Sequence, residues 1–163
     1  MKQLLLIRHA KSSWADFSTK DFDRPLNDRG KKDAPEMAKR LLDKDITIDA
    51  FIASPAKRAR KTAELFVKEF KEKKDNIIFL DELYMATSSA FYNVISKTDD
   101  DFKTIAVFSH NEGITDFANS LTDKKIDNIP TSGIFAIKIK TKHWSDFQEA
   151  EKEFWFFDSP KKG

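Results

Sequence analysis

The sequence contains no cysteine, and this single absence excludes several kinds of site. Without thiols the chain can form no disulfide and no thiolate zinc site, and it has no cysteine nucleophile. Glycine and proline are also scarce, with 4 and 5 residues in a chain of 163. The few that occur are therefore expected at turns or motifs that need them.

The chain also has no large excess of one charge and no long apolar run. Lys and Arg number 29 and Asp and Glu 27, so the formal charge of +2 argues against a nucleic-acid binder. The apolar run from Leu4 to Ile7 ends at Arg8, short of the roughly 7–15 residues of a signal-peptide core and the about 20 of a membrane helix. We expect a cytoplasmic protein with neither a membrane nor a nucleic acid as partner. At about 150 residues per domain, the length predicts one domain over residues 1–163.

Strand-like and helix-like segments alternate along the chain. Short apolar or alternating runs predict strands at 2–8, 49–53, 77–80, 104–108, 133–140 and 151–157. Apolar stripes at helical spacing predict helices at 27–43, after 54, at 88–97 and after 111. This alternation predicts an α/β fold in which a sheet lies between two helical layers, a three-layer α/β/α sandwich.

Several local expectations accompany this pattern. We predict Asn27 as the N-cap of the first helix, with Pro35 kinking that helix or delaying its start. Ser54 and Pro55 have the residue types that favour the N-cap and first position of the second helix. The strand at 133–140 is expected to be half-exposed, and the aromatic run 154–157 to belong to the core. The tail from Asp158 is expected to be frayed.

Basic and imidazole side chains follow three of the predicted strands. Arg8 and His9 come at the end of the first strand, Arg58 lies in the first turns of the helix after the second, and His110 follows the strand at 104–108. Arg24 lies in the loop between the first strand and the first helix. Because ligands of α/β sheets bind at the carboxyl ends of strands, we expect these side chains to meet at one edge of the sheet.

Such a cluster has the chemistry of a phosphate site. Guanidinium groups bind phosphate through two donors, and helix N-termini add oriented N–H groups. A neutral imidazole there can attack phosphorus, and nearby Arg charges disfavour its protonation. A second His could donate a hydrogen bond to the transferring oxygens. The plainer alternatives are a strand end with a structural histidine at position 9 and a solvated basic helix face around position 58.

Five segments follow one another along the chain: LIRHAKSSW (6–14), DRPL (23–26), LNDRG (26–30), SPAKRA (54–59) and SHN (109–111). In this order they resemble motifs of the histidine phosphatase superfamily, and most of all those of its short SixA-type phosphohistidine phosphatases. The resemblance implies a phosphoglycerate mutase-like fold, with a mixed, mostly parallel sheet and helices on both faces. It also implies chemistry that uses no metal and no organic cofactor.

The resemblance assigns roles to individual residues. It implies that His9 accepts the phosphoryl group, and that the phosphate is held by Arg8, Arg58 and His110. Arg24 would be a further contact to phosphate or substrate. Two more candidates for the phosphate site lie within the matching segments, Ser12 and Asn111, although Asn111 could instead cap the helix that follows it.

The chain departs from the wider superfamily at one position. Larger members carry an acidic residue in a Leu-Tyr-Glu-Ala-like segment, where this chain has Met85. Since a thioether cannot protonate a leaving alkoxide, we expect the substrate to be phosphohistidine on a protein, such as a histidine phosphotransfer domain, whose imidazole leaves more easily. One alternative is a phosphatase of small phosphate esters, with a proton from Glu82, from an Asp of segment 16–23 or from water. Another is a phosphate-binding module without turnover.

Overall fold

The computed structural model describes residues 1–162. The strands and α-helices follow one another as β1 (Lys2–Arg8), α1 (Asp28–Asp43), β2 (Ala50–Ala53), α2 (Lys57–Glu69), β3 (Ile78–Phe79), α3 (Ser88–Ser96), β4 (Thr104–Ser109), α4 (Gly113–Asn119), β5 (Ile134–Ile139) and β6 (Lys152–Asp158). Short 3₁₀ turns cover Asp21–Asp23, Lys74–Asn76, Asp81–Leu83, Trp144–Asp146 and Pro160–Lys162.

The strands form a six-stranded mixed sheet in the order β3-β2-β4-β1-β5-β6. The pairs β3–β2, β2–β4 and β4–β1 are parallel, whereas β5 runs antiparallel to both β1 and β6. Arg8 at the end of β1 pairs with Ser109 at the end of β4, so the residues that follow these two strands emerge side by side. The expected α/β fold with a mostly parallel mixed sheet is confirmed.

The two faces of the sheet carry separate helical layers. Alternate residues of β1 point to opposite faces, so that Leu5 and Ile7 pack with α1 and α2 while Leu4 and Leu6 pack with α3 and α4. The central strands are buried on both sides, since all six residues of β4 are buried. The predicted three-layer α/β/α sandwich is therefore confirmed. The helices cover the two faces of the sheet, and the residues that follow the parallel strands lie at the carboxyl end of these strands.

Helix starts were predicted with mixed success. The Asn27 side chain accepts a 2.9 Å hydrogen bond from the Gly30 N–H, which confirms it as the N-cap of α1. Pro35 lies inside this helix, so the expected delay of its start is wrong. Ser54 does not cap α2, which begins at Lys57 after Ala56. The Ser54 hydroxyl accepts from the Ala56 N–H at 3.3 Å, before the helix begins, and lies 2.8 Å from a ring nitrogen of His110, a contact that no local pattern contains.

Asn111 does not cap the next helix either. Helix α4 begins at Gly113, and the Asn111 amide oxygen accepts from the Thr115 hydroxyl at 2.5 Å while its nitrogen donates to Asn128. The side chain thus ties the loop after β4 to the segment before β5. The capping alternative for Asn111 is wrong, because its hydrogen bonds go to side chains rather than to free backbone N–H groups.

The C-terminal expectations also need correction. Strand β6 is the outer strand of the sheet, so Phe154 is exposed and residues 155–157 are only half-buried. β5 is covered by β1 and β6 and is almost wholly buried rather than half-exposed. The tail is not frayed up to residue 160, because the Arg40 guanidinium bonds the Asp158 carboxylate and the carbonyls of Ser159 and Pro160. Within residues 1–162, none of the helices combines the length and apolar composition that a membrane span requires.

Candidate active site

A cleft of about 530 Å³ opens at the carboxyl ends of β1 and β4. The structure brings to it every site residue that the sequence singled out, namely Arg8, His9, Ser12, Arg24, Arg58, His110 and Asn111. They come from the ends of two strands, the first turn of α2 and the loop before α1. Side chains up to about 100 residues apart in sequence thus share one pocket because the parallel strands end side by side.

The hydrogen bonds of His9 fix which of its ring nitrogens can react. Nδ1 lies 2.8 Å from the carbonyl oxygen of Ala10. A carbonyl only accepts, so Nδ1 carries the proton and Nε2 keeps a free lone pair. Arg58 Nε–H points to this Nε2 at 3.4 Å, consistent with an unprotonated nitrogen.

The surroundings keep His9 neutral. Burial is the largest cause that lowers its pKa, to about 3, and the charges of His110, Arg58 and Arg8 add to the lowering. The hydrogen bond to Ala10 raises the pKa but does not outweigh them. At neutral pH the ring is therefore an uncharged imidazole, the form in which nitrogen is a nucleophile.

A buried threonine holds the backbone after His9 against α2. The Thr62 hydroxyl accepts from the Ala10 N–H at 2.8 Å and donates to the Arg58 carbonyl at 2.7 Å. This one hydroxyl therefore couples the segment that carries His9 to the helix that carries Arg58. Sequence reasoning missed Thr62, and its only signal is a hydroxyl among the apolar residues Ala59, Ala63 and Phe66 of α2.

His110 faces His9 across the cleft, with ring centroids 5.2 Å apart. Its Nε2 contacts the Ser54 hydroxyl, and its Nδ1 is buried without a partner among the described residues. Burial, followed by the charge of Arg58, lowers the pKa of His110 to about 3. Arg8 likewise has a buried Nε without a partner, while its Nη1 donates to the Ile129 carbonyl. Both residues line the cleft, and a buried polar atom without a partner is costly to the fold.

Asp21 is a central residue that sequence reasoning did not single out. Its carboxylate accepts from Arg24 at 3.2 Å, from Arg58 at 3.1 Å and from the Tyr84 hydroxyl at 2.6 Å. The Asp21 carbonyl accepts a further 2.7 Å bond from Arg58. Partial burial raises the pKa of the carboxyl, but the hydrogen bond from Tyr84 and the charge of Arg58 lower it by more, so the net shift is downward. Asp21 is thus an anion that orients two guanidinium groups.

Arg24 is held at the rim of the cleft from three sides. Besides Asp21, it donates from Nη1 to the Ser12 hydroxyl at 2.7 Å. Its guanidinium carbon lies 3.6 Å from the centre of the Trp14 ring, a close cation–π contact. Trp14 itself is 63% exposed, so this pair forms part of the mouth of the cleft. The Ser12 hydroxyl still has its own proton to donate to a further acceptor.

Met85 takes the position at which larger members of the superfamily carry an acidic residue. Met85 lines the cleft and is 76% exposed. Glu82 does not reach the cleft, because it accepts from Asn93 at 2.9 Å and lines a different cavity. The suggestion that Glu82 supplies a proton is therefore wrong. The carboxylates that do line the cleft belong to Asp21 and Glu112, and the described residues contain no group of three His, Cys, Asp or Glu side chains suited to a metal.

Comparison with known proteins places the chain in a family. The model of the histidine phosphatase superfamily (branch 1) matches residues 4–87. An uncharacterised chloroplast protein of Arabidopsis thaliana is 33% identical over 135 residues, which are 77% of this chain and 61% of that protein. Two solved structures each have a TM-score of 0.83 over 98% of both chains: a SixA protein from Agrobacterium tumefaciens at 24% identity, and the protein histidine phosphatase SixA complexed with tungstate at 20%. The chain belongs to the histidine phosphatase superfamily (branch 1) and has the fold of its SixA-type members.

Proposed function

We propose that this protein is a phosphatase that works through a phosphoryl group carried on His9, and that its substrate is phosphohistidine on another protein. Membership of the superfamily supports phosphatase activity. The observation that carries the mechanism is the state of His9, a buried neutral ring that faces His110 and whose unprotonated Nε2 accepts a hydrogen bond from Arg58.

In the first step the His9 Nε2 lone pair forms a bond to phosphorus. The bond between phosphorus and the imidazole nitrogen of the substrate breaks, and that nitrogen keeps the bonding electrons and takes a proton from water. Negative charge on the three transferring oxygens is stabilised by the guanidinium groups of Arg8 and Arg58, and by His110 when it donates a hydrogen bond.

In the second step water attacks the phosphorus of phospho-His9. The N–P bond breaks, its electrons return to Nε2, and the proton lost by water passes to solvent. Inorganic phosphate leaves and neutral His9 is restored. The Nδ1–H bond to Ala10 persists through both steps and keeps the ring oriented. No proton has to be stored on His9, which suits a ring whose pKa lies far below neutral.

We propose a phosphoramidate substrate because the cleft has few groups that could protonate a leaving group. An alkoxide leaving group needs a proton donor, whereas Met85 has none, Asp21 is ionised with a lowered pKa, and Glu112, the other carboxyl that lines the cleft within residues 1–162, is exposed to solvent. A histidine leaving group departs with less help because imidazole nitrogen is a far weaker base than an alkoxide. The exposed mouth at Trp14 and Met85 leaves room for a phosphate carried on a protein surface. A histidine phosphotransfer domain is a partner of this kind.

The mechanism is tested by replacing the nucleophile. His9→Ala should lower kcat on phosphoramidate at least about 10³-fold and abolish acid-labile ³²P labelling of the protein, as expected when a nucleophile is removed. His143→Ala is the matched control, since His143 is exposed and lies outside the cleft. Undiminished turnover in His9→Ala would overturn the mechanism. Full binding of phosphate by the wild type with no labelling and no turnover would identify a binding module instead.

The substrate class is tested by a panel of phosphorylated compounds. We expect a phosphohistidine peptide to be hydrolysed with a kcat/KM at least about 10²-fold above those of sugar and nucleotide phosphates, the lower end of what one general acid contributes. Activity should survive treatment with EDTA, because every group in the proposed steps is a side chain. Equal or faster hydrolysis of the small esters would favour the ester phosphatase.

A further inference from the structure

A second cavity, of about 810 Å³, runs beside the cleft and takes no part in the chemistry above. One side of α2, the turn that follows it and the start of α1 line this cavity, which we call the lysine groove. Its six lysines are Lys31, Lys57, Lys61, Lys68, Lys71 and Lys74. Only two carboxylates, those of Glu64 and Glu72, lie among the lining residues.

The positive charge of the lysine groove is concentrated and largely free. Six lysines against two glutamates give an excess of four positive charges, whereas the whole chain carries only +2. Lys61 pairs with Glu64 at 3.3 Å, and within residues 1–162 the other five lysines form no ion pair. Like charges held close together repel one another, so this arrangement favours an anionic ligand.

The groove also has apolar lining residues, and two of its lining residues are sequence neighbours of cleft residues. Leu65 and Val67 of α2 line it together with Pro25 and Leu26. Pro25 directly follows Arg24 of the cleft, and Lys57 directly precedes Arg58, so part of the groove lining is adjacent in sequence to the lining of the active site. An apolar strip flanked by ammonium groups fits an amphipathic segment whose apolar side is bordered by Asp and Glu.

We propose that the lysine groove docks an acidic amphipathic segment of the phosphorylated partner protein, and so selects the substrate whose phosphohistidine enters the cleft. This inference rests on the proposed function for its substrate, but docking itself can be measured without turnover. A protein segment fits better than a nucleic acid, because the groove has no aromatic lining residue on which a base could stack and uses lysine rather than arginine.

The test compares two charge-reversed double variants. Lys31→Glu with Lys68→Glu reverses charge on both helices that border the groove, at two exposed positions. Lys103→Glu with Lys142→Glu makes the same change in charge at two exposed positions that precede β4 and follow β5, at the opposite end of the sheet. The probes are a phosphohistidine peptide with an acidic amphipathic helix, the same peptide with Gln in place of its Asp and Glu, and phosphoramidate, which fills only the cleft.

We expect the wild type to prefer the acidic over the Gln peptide by at least about 10-fold in kcat/KM at low salt, the lower end of electrostatic steering. The groove variant should lose this preference and the control variant should keep it. Salt at about 0.5 M should reduce the preference, because exposed charges are then screened. A groove variant that keeps the preference, or a control variant that loses it equally, would overturn the proposal.

A binding measurement separates this proposal from the proposed function. Fluorescence anisotropy of the unphosphorylated acidic peptide on His9→Ala reports docking alone. Binding that Lys31→Glu with Lys68→Glu weakens at least about 10-fold supports the groove even if no phosphohistidine is hydrolysed. Absence of peptide binding, or tighter binding of a single-stranded RNA of about 20 nucleotides that the groove variant abolishes, would overturn it whatever the catalytic result.

Discussion

The two buried histidines should make the fold sensitive to acid, and the size of the effect follows from their pKa values. His9 and His110 both have a pKa lowered to about 3, whereas an unfolded chain has histidines near about 6.5. Between these values the unfolded state binds more protons, so the free energy of unfolding rises with pH and falls as the solution is acidified. From about pH 7.5 to about pH 5 each ring should cost about 2 kcal/mol, and the pair about 4 kcal/mol.

The assay is urea unfolding in phosphate-free buffers at about pH 7.5 and about pH 5. The double variant His9→Gln with His110→Gln lacks both titrating rings, so its loss of stability on acidification should be smaller than that of the wild type by about 4 kcal/mol. His143→Gln removes an exposed histidine outside the cleft and serves as the control. Comparing losses within each protein removes the contribution of carboxylates such as Asp21, which also titrate on acidification.

Two outcomes would refute this reasoning. The first is an equal acid-induced loss of stability in the wild type and the double variant. The second is an NMR titration in which the ring protons of His9 or His110 shift with a midpoint near the ordinary value of about 6.5. Since whole domains are stable by only about 5–15 kcal/mol, an effect of the expected size is easily measured.

Two further predictions concern the segment around the missing acid. Met85→Glu should raise the kcat for glycerol phosphate at least about 10-fold relative to Met85→Gln, because only the carboxyl can donate a proton; equal rates in the two variants would contradict this. Gly113→Ala should destabilise the fold by about 1–3 kcal/mol, since its Cβ would lie 1.9 Å from the Ala86 carbonyl oxygen. Urea unfolding beside the exposed control Asp116→Ala checks it, and an unchanged midpoint would show that the backbone moves apart at little cost.

Local sequence patterns predicted well the features whose causes are local. The apolar run of β1 and the Asn27 cap of α1 have the predicted positions, because burial of a continuous apolar strand and capping by the nearest side chain depend on adjacent residues. Ser54 and Asn111 have residue types that are equally typical of caps. Their side chains bind His110, Thr115 and Asn128 instead, and no pattern within a few residues reveals such partners.

The site shows the same division. Arg8, His9, Arg58 and His110 could be singled out because each follows a strand, and strand ends meet at one edge of a parallel sheet. The residue that orients Arg24 and Arg58, Asp21, could not be singled out from the sequence. Asp21 begins a short 3₁₀ turn in a stretch that holds three aspartates, at 16, 21 and 23, and nothing in that stretch marks which carboxylate binds the arginines. That outcome depends on the positions of Arg24, Arg58 and Tyr84, which come from three separate parts of the chain.

The sequence by itself determined which types of side chain are available for the chemistry of this protein. The chain has no thiols, and histidine and arginine follow its strands. From this alone we expect a phosphate site that is built from histidine and arginine. Only the tertiary structure decided which nitrogen of His9 is free, which carboxylate orients the arginines and where six scattered lysines form one groove. The physical reason is that residue types and local periodicity are written in order along the chain, whereas hydrogen bonds, burial and pKa shifts arise between groups that folding brings together.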